Sequence, residues 1–202
     1  MTATPKVWYT SDLHLGDPRN APYRGYSTPE EIDEHDAKII ETIIETVAPG
    51  DHLWNLGDIS RGGKAGTNHA LGLLFDVTYF SKAHKKNPIV QHLIPGNHDR
   101  CHPKNPDSWK HQAHALTVFK SVQPFARHKI ADRDVMLSHF PYKRDRNEER
   151  YGQYRLRDEG HVLLHGHLHV EERLEGREVH VGWDAWQRPV SQDEIAELIY
   201  QI

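Results

Sequence analysis

Five short apolar runs each end beside polar side chains that can bind a metal ion, and this repeated pattern constrains the fold most strongly. The runs cover residues 7–10, 52–56, 89–94, 135–138 and 162–164. Each is rich in β-branched, aromatic or other apolar residues and has the length of a buried strand. Residues 178–183 form a later run that also predicts a strand.

Helical periodicity separates several of these runs. Thr28, Pro29 and Glu31 form a capping box with proline at the first helical position, and isoleucines follow at helical spacing until Pro49-Gly50. A second helix is predicted over 68–82 and a third after the capping box at 191–194. Strands that alternate with helices indicate an α/β fold, and the polar segments 101–108 and 142–160 are predicted surface loops.

Length and charge limit the classes of protein that fit. A chain of 202 residues suits one domain, predicted over 1–202. The net charge of −4 counts against a general affinity for nucleic acid, although local basic patches stay open. We find neither a membrane-spanning stretch nor a secretory signal, and the single Cys101 is typical of a reducing compartment. We therefore expect a cytoplasmic protein without a membrane partner.

Metal-capable side chains follow the five runs. Sites in open α/β sheets form at the carboxyl ends of strands, so we expect these side chains to meet. The candidate metal ligands are Asp12, His14, Asp58, Asn97, His139, His167 and His169. Carboxylate, amide and imidazole ligands together suit Mn, Fe or Zn. Gly166-His167-x-His169 is the strongest single motif, whereas others are weak alone, as Gly57-Asp58 is ordinary turn chemistry; all five in order are a specific signal.

The five blocks Asp-x-His, Gly-Asp, Gly-Asn-His-Asp, His and Gly-His-x-His resemble the calcineurin-like metallophosphoesterase superfamily, and they span residues 12–169. The strings around Trp8, at 54–58 and at 181–184 are similar to small single-domain members from bacteria and phages. The fold that this resemblance implies is a two-sheet β-sandwich flanked by helices. It also implies an enzyme, a metal-dependent phosphodiesterase.

The resemblance assigns roles residue by residue. It implies two divalent ions, with Mn expected first and Fe or Zn as alternatives. One ion would be held by Asp12, His14, Asp58 and His169. The other would be held by Asp58, Asn97, His139 and His167, so that Asp58 bridges together with a hydroxide that attacks phosphorus. His98 matches the catalytic histidine, and Asp99 is expected to orient it.

The substrate that the resemblance implies is a small phosphodiester, with 2′,3′-cyclic nucleotides among the candidates. A nuclease acting on RNA or DNA and a phosphomonoesterase stay open as alternatives. A non-catalytic scaffold is disfavoured, because His98 and all the ligands are present. The basic and aromatic residues near the motifs predict phosphate or base contacts at Arg24, Arg61, Arg100, Tyr142 and Arg144. Asp17 departs from the family pattern, in which relatives often carry a histidine.

Overall fold

In a computed structural model, the chain forms two mixed five-stranded sheets with helices packed against them. The structure describes residues 4–84, 87–143, 145 and 150–202. The described strands are β1 (Val7–Thr10), β2 (His52–Asn55), β3 (Val90–Leu93), β4 (Ser121–Val122), β5 (Ala126–Ile130), β6 (Arg133–Leu137), β7 (Val162–His165), β8 (Leu174–Glu175), β9 (Glu178–His180) and β10 (Val190–Ser191). The helices are α1 (Pro29–Thr46), α2 (Gly63–His84), α3 (Ser108–Ala115), α4 (Trp183–Trp186) and α5 (Gln192–Ile199), with 3-10 turns at Ala21–Arg24 and Gly152–Tyr154.

The strand order brings the predicted site blocks to one edge. The first sheet has the order β10-β1-β2-β3-β4, in which β1 to β4 are parallel and β10 is antiparallel to β1. The second has the order β5-β6-β7-β9-β8, in which β6, β7 and β9 are parallel. The carboxyl ends of parallel neighbours lie at the same edge of a sheet, where sites form. This two-sheet sandwich is the predicted fold.

Two apolar cores hold the layers together. Along β2, Leu53 packs towards α1 and α2, whereas the neighbouring Trp54 packs against the core between the sheets. This alternation follows from the two-residue period of side chains in a strand. The inter-sheet core also contains Ile195 and Ile199, by which α5 joins the sandwich. The first sheet is therefore covered on both faces, which explains why its strands read as apolar runs.

Both predicted capping boxes are present. The Thr28 hydroxyl accepts a bond from the Glu31 amide at 3.2 Å, and the Glu31 carboxylate accepts one from the Thr28 amide at 3.0 Å. Ser191 and Glu194 make the same reciprocal pair at the start of α5. The second helix is longer than predicted, because it begins at Gly63 rather than at residue 68. Among the described residues, none of the helices combines the length and apolar character needed to cross a bilayer.

Several local predictions need correction. The run 178–183 is a strand only to His180, and α4 begins at Trp183 after the Gly182 N-cap. The segment 101–108 is irregular as predicted, but α3 starts at its last residue, Ser108. Strands β4, β8 and β10 have two residues each, too few to give a periodic signal.

A half-buried histidine cluster lies between the sheets. The ring of His92 stacks on Trp54 with centroids 4.4 Å apart, and its Nδ1 lies 2.8 Å from the Ser121 hydroxyl. Its Nε2 lies 3.0 Å from Nδ1 of His52. Burial, and then the nearby charge of His52, lowers the pKa of His92 to about 4. The cluster is therefore built around a neutral imidazole.

Acid should weaken the fold through this histidine. In the unfolded chain a histidine takes up a proton near pH 6.5, whereas His92 in the folded protein does so only near pH 4. Protonation thus favours the unfolded chain, and stability falls as the pH is lowered through this interval. We therefore compare melting temperatures at pH 7 and pH 4.5. The melting temperature of His92→Phe, which keeps a ring on Trp54, should fall by less than that of the parent protein. The exposed His114→Phe serves as the control, and an equal loss in His92→Phe and in the parent would contradict the prediction.

Candidate metal centre

The edge where the parallel strands end gathers two groups of metal-capable side chains. Asp12, His14 and His169 form one group, and within it the potential ligand atoms lie within 4.8 Å of one another. The second group meets the same limit and consists of Asp58, His139 and His167. Asn97 adjoins this group, with Oδ1 at 3.2 Å from His139 Nε2. The structure thus brings all seven predicted ligands to one place.

Asp58 lies between the two groups. Its Oδ2 is 3.8 Å from Nε2 of His14, which belongs to the first group, and 3.4 Å from Nε2 of His139, which belongs to the second. The carboxylate is almost fully buried, at 2% exposure. One carboxylate that faces both groups has the position needed to bridge two ions.

The backbone of this centre is strained. Asp12, His14, Asp58, His167 and His169 have positive φ angles of 57°, 50°, 53°, 74° and 50°. Side-chain-bearing residues rarely adopt this conformation, which costs on the order of 1–3 kcal/mol each and concentrates at functional sites. In the first and last motifs, two ligand candidates separated by one residue both have this backbone conformation, and both face the centre.

Two glycines allow the loops to approach one another. A Cβ atom on Gly96 would lie 2.2 Å from Oδ1 of Asp58, and one on Gly166 would lie 2.3 Å from Oδ2 of Asp12. Any larger residue at either position would displace a candidate ligand. The glycines of the third and fifth motifs are therefore required by close packing.

Hydrogen bonds from the protein fix which imidazole nitrogen faces the centre. Nδ1 of His139 lies 2.7 Å from the Leu56 carbonyl, so it carries the proton and leaves Nε2 as a ligand atom. Nδ1 of His14 lies 3.0 Å from Oδ2 of Asp17, which has the same effect. Histidine ligands of metals typically have such a hydrogen-bond partner on the ring nitrogen that does not face the metal. We call these groups outer partners.

The last motif is held in the same way. Nδ1 of His169 lies 2.8 Å from Oδ2 of Asp184, which also forms a two-point ion pair with Arg24. For His167 the contact is reversed: Nε2 lies 3.1 Å from both oxygens of Asp145, so Nδ1 is the free nitrogen. Each of the four histidines in the two groups thus presents one nitrogen to the centre.

The residues present fit a metal ion. Nε2 of His14 is buried and has no hydrogen-bond partner among the described residues, and it faces the Asp58 carboxylate. A buried nitrogen in this state is costly unless something binds it. The oxygen and imidazole donors around it are those preferred by Mn, Fe and Zn.

The charges of the centre compensate one another. Burial raises the pKa of Asp58, but His139 and His14 outweigh it and hold that pKa below the usual range. Burial likewise opposes a charge on His139, yet the Asp58 carboxylate raises its pKa to about 9. An ionised carboxylate in the interior requires such positive neighbours. A divalent ion supplies the same compensation when it replaces the imidazole protons.

Comparisons with known proteins agree with this geometry. The family model described as calcineurin-like phosphoesterase matches residues 5–187. The chain belongs to the calcineurin-like phosphoesterase family. It is 40% identical over 208 residues to the Gene 66 protein of Mycobacterium phage L5, covering 97% of this chain and 95% of that protein. The Gene 66 protein of Mycobacterium phage D29 is 38% identical over 206 residues, covering 97% of this chain and 96% of that protein.

A solved structure shares the fold. It is the protein of unknown function AQ665 from Aquifex aeolicus, with a TM-score of 0.66 and 20% identity, covering 96% of this chain and all of that one. The family and the two ligand groups make the chain a metal-dependent phosphoester hydrolase with a site for two divalent ions.

One predicted contact in this phosphoesterase is wrong. Asp99 does not orient the His98 ring, because its carboxylate accepts bonds from the backbone amides of Asp58, Ile59 and Gly96, at 2.9, 3.2 and 2.7 Å. The His98 ring instead has Nδ1 3.2 Å from the Arg61 carbonyl. Burial, and then the charge of Asp58, raises the pKa of Asp99 to about 7. Asp99 therefore ties the second motif to the third.

The predicted phosphate contacts are placed very differently. Arg61 borders a cavity beside His98, whereas the Arg24 guanidinium is engaged by Asp184 and by the carbonyls of Asp12 and Leu13. Arg100 borders none of the described cavities near the centre.

Tyr142 borders neither of the described cavities beside the centre. Its amide donates to Glu178, and burial, followed by the charge of Asp158, raises the pKa of its phenol to about 12. Arg144 lies outside the described residues.

Sequence reasoning missed the carboxylates that hold the histidines. Asp17, Asp145 and Asp184 were not predicted, although all three contact a candidate ligand. For Asp17 a signal existed, since it follows His14 by three residues. The other two, Asp145 in an irregular segment and Asp184 in α4, are distant along the chain from the histidines that they contact, so only the fold brings them to the centre.

Removing the Asp184 carboxylate should weaken one metal site. Asp184→Ala frees the His169 ring to rotate and to adopt the wrong tautomer, and losing such a partner costs about 10–100-fold in affinity. We expect metal analysis after dialysis to find one ion per chain instead of two. The exposed Asp193→Ala should retain both ions. Two tightly held ions in Asp184→Ala would show that its bond to His169 does not support a metal ligand.

Proposed function

We propose that this phosphoesterase hydrolyses small phosphodiesters, including nucleotide esters such as 2′,3′-cyclic nucleotides. The observation that carries the proposal is a pair of cavities that share His98, the larger of which borders the candidate metal ligands His14 and His169. The larger has a volume of about 770 Å³ and the smaller about 310 Å³. Both are bordered by His98, Asp17 and Arg19.

Two cavities that share His98 suit a substrate with two substituents. A phosphodiester carries an organic group on each side of phosphorus, whereas a monoester carries one. The smaller cavity is bordered by Gly62, Gly63 and the exposed Arg61, so it is open and basic. The net charge of −4 argues for a small anionic substrate that is steered locally rather than for a long polynucleotide.

The metal ligands are assigned as the resemblance implies. One ion would be held by Asp12, His14, Asp58 and His169, and the other by Asp58, Asn97, His139 and His167. When bound, two such ions activate water and stabilise the charge of the phosphoryl oxygens. Mn is the first expectation, since the donors are hard oxygens and imidazoles.

His98 is the residue placed to move a proton. Its side chain is 41% exposed, and its Nε2 lies 4.0 Å from Oδ2 of Asp58. Its Nδ1 is 3.2 Å from the Arg61 carbonyl, which accepts a hydrogen bond when Nδ1 carries the proton. This bond leaves Nε2 directed towards the cavities. A protonated His98 can donate to the leaving oxygen as the ester bond breaks. Arg61 is therefore a positioning residue through its backbone.

The deciding experiment is a hydrolysis assay on chelator-stripped protein. Bis-p-nitrophenyl phosphate, p-nitrophenyl phosphate and 2′,3′-cyclic AMP are compared, with Mn, Fe, Zn or Mg restored singly. We expect turnover of diesters that requires metal and exceeds turnover of the monoester. His98→Ala should keep both ions and lose about 10²–10⁴-fold in turnover, as for removal of a general acid. The exposed His114→Ala is the matched control, and activity confined to the monoester would reject the proposal.

Asp58→Ala tests the bridging role. Because Asp58 faces both ligand groups, its loss should weaken both ions together, by more than the 10–100-fold expected for an outer partner. Metal content after dialysis should approach zero, while Asp134→Ala on the surface of β6 keeps two ions. Retention of one ion in Asp58→Ala would instead assign this residue to a single site.

A further inference from the structure

The larger cavity extends beyond the space that a phosphate needs. From His14, His98 and His169 at the metal centre it continues along the middle of α1, past His35 to Ile39 and Thr42. Its volume of about 770 Å³ leaves room for a substituent much larger than a methyl or ethyl group. The residues of its outer part therefore determine which ester binds.

Aromatic side chains border this outer part. They are Tyr23, Tyr26 and Trp183. Tyr23 is 90% exposed, the most exposed large apolar side chain of the described residues. An aromatic ring that is this exposed can stack with a ligand on either face, and a flat ligand makes the largest contact with it.

The turn that carries Tyr23 is anchored to the metal centre. Tyr23 belongs to the 3-10 turn Ala21–Arg24, and the next residue, Arg24, donates to the carbonyls of Asp12 and Leu13 at 2.7 and 2.9 Å. The same guanidinium pairs with Asp184, the partner of His169. The exposed ring is thus mounted on a fixed backbone beside the metal ligands.

A buried polar atom lies in the same wall. His35 borders the cavity and is only 5% exposed, and its Nε2 has no hydrogen-bond partner among the described residues. Its ring packs at a tilt on Tyr26, with centroids 4.7 Å apart, and Nδ1 lies 3.4 Å from Asp36. A buried nitrogen without a partner is unfavourable, so a polar ligand group that reaches it gains affinity.

We propose that this cavity binds the nucleoside part of a nucleotide ester, with the base stacked on Tyr23 and a polar group bonded to His35 Nε2. A nucleobase combines a flat face with polar edges, which matches an aromatic wall that contains one unsatisfied nitrogen. Arg19 and Lys38 supply positive charge to the same cavity, which the acidic Asp17, Glu171 and Asp184 also border. The inference rests on the proposed function only in placing the phosphate at the metal centre.

Binding measurements test this inference without using turnover. The Mn-loaded protein is titrated calorimetrically with adenosine 5′-monophosphate and with methyl phosphate, which share the phosphate and differ in the nucleoside. We expect adenosine 5′-monophosphate to bind at least about tenfold more tightly, the size of one base–aromatic stacking contact. Tyr23→Ala should reduce the ratio of the two affinities about tenfold, whereas Tyr23→Phe should keep it. Tyr200→Ala removes an exposed tyrosine from the end of α5 and should leave the ratio unchanged.

The His35 contact has its own variant. His35→Phe keeps a ring against Tyr26 and removes Nε2, so the affinity ratio should fall while thermal melting shows a folded protein. Equal affinities for the two phosphates in the parent protein, or a ratio that Tyr23→Ala does not change, would overturn the inference. The diester assay can succeed or fail independently of this result, so failure of the proposed function and failure of the nucleoside site are distinguishable.

Discussion

The structure depends on one buried carboxylate, that of Asp58. It is 2% exposed, yet nearby imidazoles keep it ionised, because an interior charge is tolerated only where opposite charge and hydrogen bonds compensate it. Its Oδ1 accepts the His98 amide at 2.7 Å, which joins the second motif to the third. His139, from the second sheet, approaches its Oδ2 and contacts the Leu56 carbonyl of the first sheet. The two sheets are thus joined at this edge by the candidate metal ligands.

The centre has a conformational cost that the rest of the fold must offset. Five candidate ligands have positive φ, and at Gly96 and Gly166 the loops approach too closely for a side chain. Such strain persists only where surrounding contacts leave no alternative. Here the constraint comes from two apolar cores, one between the first sheet and its helices and one between the sheets. The cores fix the strand ends, and the strand ends fix the loops.

The candidate ligands could be picked out from the sequence because each motif is local: a strand, then a metal-capable residue. The carboxylates that bond to the histidines could not be predicted in this way. Asp184 follows His169 by fifteen residues and reaches it only through the sheet order. The expected contact between Asp99 and His98 failed for a physical reason. Neighbouring side chains on a tight turn point in different directions, so sequence adjacency does not produce contact, and Asp99 accepts backbone amides instead. The two-sheet architecture itself came from the family resemblance, because alternating strands and helices alone fit several α/β folds.

Arg24 connects the metal centre with the turn that carries Tyr23. The sequence suggested a phosphate contact, but its guanidinium bonds to the Asp12 carbonyl and pairs with Asp184, which holds His169. The same residue ends the turn that presents Tyr23 to the cavity. A shift of that turn would therefore disturb the first ligand group, and a shift of this group would move the turn. This coupling explains how an exposed tyrosine can keep a defined position relative to the candidate metal ligands without being packed itself, since the next residue bonds to the backbone beside them.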